Sequence, residues 1–310
     1  MACLESTAPI NISRSSVKDK CINKCQYFHK YNNSKCTIRN KKNHLLLSYD
    51  RPNDESPVTY NGEPFYTTKV MIFRPSVHSY DGSKAEAEFI IEHRSDSGEN
   101  MLVCIPIIIR DGLVSKSSTM LDKMIRQTAF YAQNEGEKVT LNLNQYNLDN
   151  FVPQGRFYAY RGTYFMYPCN GSYNYTVFHK NDAYLTIPRN TFNKLKKVIS
   201  YNYNSIKNGD DVNLFLNEKG PNSGIRPGDE IYIECKPTGT EGEELQQQSK
   251  SESSEDQDYL NKIIWFIYSP YFLIPFMIFV FFILYKIIKI ISLKLKDKDF
   301  SKPISQAKKK

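Results

Sequence analysis

The chain has 310 residues, of which 40% are apolar and 24% charged, and its formal net charge is +8. That length is enough to bury a sizeable core, and a mean hydropathy of −0.52 excludes a polytopic membrane protein. With 14 Gly, 15 Pro and 7 Cys, collagen-like and disulfide-dense classes are excluded too.

The charge is unevenly spread. Residues 1–236 carry 30 basic and 24 acidic residues, net +6. Residues 237–258 carry 1 and 7, net −6, and residues 259–310 carry 10 and 2, net +8. A single isoelectric point hides these three parts.

Taken in chain order, the N-terminal stretch MACLESTAPINISRS has no apolar core of the kind a signal peptide needs. Short β-forming runs bounded by turn residues then predict strands at Lys69–Arg74, Ala87–His93, Met101–Ile109, Lys138–Leu143, Phe157–Tyr160, Tyr173–His179 and Glu230–Cys235. Met101–Ile109 is almost wholly apolar, as a strand buried on both faces is. Pro106 within it predicts a bulge or a local edge. The 3.6-residue periodicity predicts two helices. One runs about Thr119–Gln133, capped by Ser118, and the other about Thr191–Tyr201. The fold class is mainly β, of the α+β kind, with peripheral helices.

Residues 237–262 form an acidic tether too polar to bury a core. Its first 22 residues span about 25 Å as a flexible chain. From 263 to 285 no residue is charged, and 23 residues make a helix of about 35 Å, enough for a ~30 Å hydrocarbon core. This predicts one C-terminal membrane span, with the lipid bilayer as a partner. Residues 286–310 are a basic tail, beginning Lys286 and Lys289, of the kind that favours an anionic lipid surface.

Two further patterns carry chemistry. Cys21, Cys25, His29 and Cys36 form a Cys-x3-Cys-x3-His-x6-Cys array, which offers four metal ligands, or else reduced thiols or one local disulfide in a loop. Arg74, Arg156, Arg161, Lys194, Lys196 and Lys197 are candidate polyanion-binding residues, since clustered cations attract sulfated or phosphorylated chains.

Four stretches, in order, carry a resemblance. They are Ala8-Pro9-Ile10-Asn11-Ile12, Val58 to Phe65, Ser76 through His93, and Phe157 through Cys169. Together they resemble the α-carbonic anhydrase family and cover most of residues 6–236. The resemblance implies one domain, residues 1–236, around a large twisted, mostly antiparallel sheet with zinc held by three His in a central cleft. The same resemblance places the third zinc ligand at Ile90 and the paired ligands on Met71-Ile72-Phe73-Arg74, and neither place holds a His. The acid of the second shell falls at Val77 and the hydroxide-orienting Thr at Phe165. Cys169 matches a packing Cys of the family. The resemblance therefore implies a family member with no catalytic residues, no metal and no cofactor.

The layout, a domain without zinc ligands followed by a stalk, one span and a basic tail, resembles that of poxvirus envelope proteins that bind chondroitin sulfate. The function this implies is non-enzymatic attachment of a virion to a host cell-surface glycosaminoglycan, with no nucleic-acid partner. Its localisation would be a virion envelope, beside other virion envelope proteins. The alternative is a structural assembly protein, or a binder of a protein receptor.

Overall fold

The computed structural model describes residues 6–21, 24–50, 56–112, 115–182, 185–200, 206–207, 212–223, 285–286 and 289. The chain divides into two units, Met1–Asp229 and Glu230–Lys310. In the second unit residues 285, 286 and 289 are described, and all three are helical. The expected strand Glu230–Cys235, the tether and the span as far as residue 284 lie outside the described residues. No helix among the described residues is long and apolar enough to cross a membrane.

The strands of the first unit are β1 (Asn11–Ile12), β2 (Val17–Lys20), β3 (Tyr27–His29), β4 (Ser34–Asn40), β5 (His44–Leu47), β6 (Val58–Tyr60), β7 (Glu63–Phe73), β8 (Ser79–Tyr80), β9 (Ser83–Lys84), β10 (Ala87–Arg94), β11 (Asn100–Ile109), β12 (Lys138–Tyr146), β13 (Phe157–Gly162), β14 (Tyr173–Phe178), β15 (Leu185–Ile187) and β16 (Leu214–Asn217). Helix α1 (Lys116–Tyr131) follows β11, and helix α2 (Arg189–Val198) follows β15. One sheet of 13 strands runs in the order β12-β4-β5-β7-β10-β11-β14-β13-β16-β2, with β15, β3 and β6 attached off that path. It is mixed and mostly antiparallel. Its parallel pairs are β11 with β14, β11 with β15, and β16 with β2.

β10 and β11 form the centre because their side chains are apolar on both faces. Phe89, Ile91, Val103 and Ile105 join one core cluster, and Ile90, Leu102 and Cys104 join the other. Pro106 causes no bulge, since β10 and β11 stay in register through Glu88 opposite Pro106. It is instead a local edge. On its other side β11 pairs with β14 up to Cys104 and with β15 from Ile107, so Pro106 falls between the two partners. A residue without an N–H fits there at no cost to the ladder.

The helices cover the first face through α1 residues Leu121, Met124 and Ile125 and α2 residues Leu195 and Val198. α1 begins one turn earlier than its periodicity predicts, because Ser115, not Ser118, caps it. The Ser115 Oγ accepts from the Ser118 N–H at 3.1 Å. α2 begins after Pro188 with no side-chain cap.

The C-terminal ends of both helices meet one side chain of β4. Asn40 is 1% exposed. Its amide nitrogen donates to the carbonyls of Ala132 at 3.1 Å, Gln133 at 2.8 Å and Val198 at 3.2 Å. Its oxygen accepts from the Lys42 N–H at 2.7 Å. The terminal carbonyls of a helix lack partners within it, so this residue ties α1 and α2 to the sheet. Asn40→Ala should lower unfolding stability by about 2–4 kcal/mol in urea titrations, because several buried groups lose partners together. A loss below about 1 kcal/mol would contradict that role.

Candidate functional site

The candidate site lies on the β10 face that carries Ile90. Side chains two apart on a strand share a face. On β7, Met71 and Phe73 join Ile90 in one cluster, while Ile72 packs with the other. Ile90 lies directly opposite Met71 in the ladder. Phe165 packs edge-on to Phe73, with ring centroids 5.3 Å apart, and His44 stacks on Phe73 at 4.9 Å. Met71, Phe73 and Ile90 are wholly buried and Phe165 is 4% exposed. The face is filled by hydrocarbon and aromatic carbon, where a three-His zinc site needs nitrogen donors and an open fourth position. These residues do not fit that group.

On the same face sits a buried polar hub. Glu88, fully buried, accepts at Oε2 from the Val77 N–H at 2.5 Å and the His78 N–H at 3.0 Å. At Oε1 it pairs with His78 Nδ1 at 2.9 Å and accepts from the Tyr80 hydroxyl at 3.0 Å. The Nε2 of His78 meets the Tyr160 hydroxyl at 2.7 Å. Burial pushes the Glu88 carboxyl up, but the His78 charge and these donors outweigh it and hold it below the usual range.

His78, Glu88 and Cys104 also place one potential ligand atom each within 4.8 Å of one another. The His and Glu atoms are already committed, and burial with the nearby Glu88 pushes the Cys104 thiol well up. Glu88, His78, Tyr80 and Tyr160 form a hydrogen-bonded brace, with Cys104 buried beside it. A carboxylate inside the apolar run Ala87–Ile91 is its sequence signal, since an acid in a buried strand must have partners.

At the rim of the same face, Lys69 Nζ meets Glu92 at 2.9 Å, and the Tyr164 hydroxyl donates to that carboxylate at 2.8 Å. Sequence reasoning singled out none of these three residues.

The Cys/His array does not assemble as a metal site. Cys21 and Cys25 are joined in a disulfide. His29 Nδ1 pairs with Asp149 at 2.6 Å. Cys36 is a buried free thiol, pushed up to about 12 by burial. Of the three readings of that array, the local disulfide is the one realised. Cys169 is disulfide-bonded as well, rather than a simple packing residue.

The six candidate polyanion-binding residues also separate. Arg74 is half-buried directly after β7. Arg156 is held by Asp182 through two bonds of 2.7 and 3.0 Å. Arg161 bonds Glu99 at 3.2 Å and Ser172 at 2.6 Å. Five residues along a strand put the last two about 17 Å apart. Lys194, Lys196 and Lys197 lie on α2 and have no ion-pair partner among the described residues. Val77 is buried beside the hub, with its N–H on Glu88.

Residues 3–210 match the family model of eukaryotic-type carbonic anhydrase. The chain belongs to that family. The carbonic anhydrase fold recurs in solved structures. An alpha-carbonic anhydrase from Thermovibrio ammonificans, in complex with the inhibitor sulfanilamide, has a TM-score of 0.56 at 17% identity, covering 68% of this chain and 86% of that one. Dioscorin complexed with ascorbate also reaches 0.56, at 18% identity, over 69% and 86% of the two chains. The carbonic anhydrase Cah3 from Chlamydomonas reinhardtii, in complex with acetazolamide, reaches 0.55 at 16% identity, over 68% and 90%. No curated protein matches the chain.

The histidines of this family member are engaged singly. His93 is fully buried, with Nε2 on the Tyr31 hydroxyl at 2.8 Å. Burial pushes it down to about 3, and burial likewise pushes His44 down to about 4. An unfolded imidazole titrates near 6.5. Each depressed His is therefore neutral in the folded chain while its unfolded form gains a proton. Its stabilising contribution is full above about pH 6.5 and is lost progressively as pH falls toward the folded value. Denaturant titrations should show stability falling by up to about 1.4 kcal/mol per pH unit for each His in that window. His93→Gln, which keeps an acceptor for Tyr31, should flatten the fall; an unchanged slope would contradict the assignment.

Proposed function

We propose that this chain is a membrane-anchored, non-enzymatic member of the carbonic anhydrase family that binds sulfated glycosaminoglycans of the chondroitin sulfate kind on cell surfaces. The observation that carries the non-enzymatic half is the packing of Met71, Phe73, Ile90 and Phe165 into one core on the β10 face. Zinc hydroxide chemistry needs a metal with three ligands and an open position, and those four side chains supply neither. A shared fold leaves the function open.

The binding half rests on charge. Residues 1–236 carry a net +6, and a polyanionic chain gains from meeting clustered Lys and Arg, with attraction screened beyond ~8 Å at physiological salt. The anchoring half rests on the uncharged residues 263–285. Placement on a virion envelope rests on the resemblance of layout alone.

The test is retention of the full chain, held in a neutral detergent, on immobilised chondroitin sulfate. Retention at about 50 mM salt that is lost by about 300 mM is the expected result. Equal retention on an uncharged resin of the same matrix, or none on either, contradicts the proposal.

A further inference from the structure

The positive charge of the domain is concentrated on two neighbouring helices. α1 and α2 together carry seven basic residues and one acid, a net +6. The rest of residues 1–236 holds 23 basic and 23 acidic residues and is neutral. The whole excess of the domain therefore sits on 26 residues. The single acid, Asp122, is half-buried and taken by Arg126 at 2.8 Å and by the Thr191 hydroxyl. Six of the seven cations are exposed and Lys194 is half-buried.

Between these helices runs a groove of about 630 Å³, a volume suited to a bound saccharide unit. Arg126, Lys194 and Lys197 line it. So do Phe130 and Tyr131, which are 71% and 59% exposed and lie edge to face, with centroids 4.6 Å apart. Large aromatic rings left this open in a folded domain are a feature of binding surfaces. Gln127, Gln133, Asn190 and Asn193 also line it. Each carboxamide offers both a donor and an acceptor, which matches hydroxyl groups.

Resting on the reading of the chain as a glycosaminoglycan binder, we propose that the α1–α2 groove is its binding site. Sulfate groups of the polysaccharide lie against Lys194, Lys197 and Arg126. The C–H face of a sugar ring packs on Phe130 and Tyr131, and the carboxamides take its hydroxyls. The face that belongs to zinc chemistry in the family takes no part. A single-stranded nucleic acid is the other polyanion a basic groove meets, but such sites stack successive bases on a series of rings. Here there is one pair, with ring planes at 75°, beside four carboxamides.

The experiment measures binding of the full chain in neutral detergent to chondroitin sulfate across a salt series. Its variants are K194Q/K197Q, F130A/Y131A and, on another face, K20Q, whose side chain pairs with Glu218. Thermal melting checks that each variant is folded. The lysine variant should weaken binding at least about fivefold and flatten the dependence of log affinity on log salt, because fewer counterions are released. The aromatic variant should weaken binding several-fold with the salt slope unchanged, since it removes apolar area and no charge. K20Q should bind as wild type.

If wild type binds and both groove variants bind equally well, the groove is not the site, while the function stands. If wild type binds no chondroitin sulfate at any salt, the function itself fails and the groove assignment with it. If an oligonucleotide of equal total charge displaces the polysaccharide as well as the polysaccharide displaces itself, the saccharide assignment is overturned.

Discussion

A carboxylate without access to water organises the centre of this molecule. Glu88 projects from the apolar first half of β10, Ala87–Ile91, and an unpaired charge there would cost several kcal/mol. It is stable only because Val77, His78 and Tyr80 all turn their donors toward it. That requirement fixes the path of the chain between β7 and β10. Through His78 it reaches Tyr160 on β13, whose ring stacks on Tyr175 of β14 at 4.4 Å. The brace thus links both sides of the sheet centre and holds the face on which the family builds its zinc site.

On that face this chain packs a tight apolar cluster. Met71, Phe73, Ile90 and Phe165 occupy the space with side chains that gain by leaving water, at about 25 cal/mol per Å² buried. The other face follows a different logic. Its helices bury their apolar stripes on the sheet, are tied down at their C-terminal ends by Asn40, and turn outward a surface with seven cations. Structure and charge are divided between the two faces, which lets one be rigid and apolar while the other meets solvent.

The central sheet was legible in the sequence because β10, β11, β13 and β14 contain apolar or aromatic runs; of β7 only the end from Lys69 was, because its first half, from Glu63 to Thr68, mixes polar and apolar residues. That Met71, Phe73 and Ile90 are apolar was legible because residue type is read directly from the sequence; that they pack into one cluster was not. The strands between residues 17 and 60 were not legible. β4 buries Cys36, Ile38 and Asn40, and two of these are not strong strand formers. The Asn40 side chain is buried against helix ends at residues 132 and 198, which no local pattern announces. The six cations predicted to bind polyanions carried no information on pairing. Asp182 and Glu99 claim Arg156 and Arg161 from 26 and 62 residues away in sequence. The groove needed α1 and α2 to be side by side, a tertiary fact, before Phe130 and Tyr131 could stand out among 22 Tyr and 18 Phe.

The most direct test of the account is zinc stoichiometry of the folded chain, measured by elemental analysis after equilibration with excess zinc and removal of the loosely held ion, together with its rate of carbon dioxide hydration. The apolar packing of Met71, Phe73, Ile90 and Phe165 predicts no retained zinc and hydration at the uncatalysed rate. One zinc per chain, with hydration above that rate and abolished by a chelator, would contradict it.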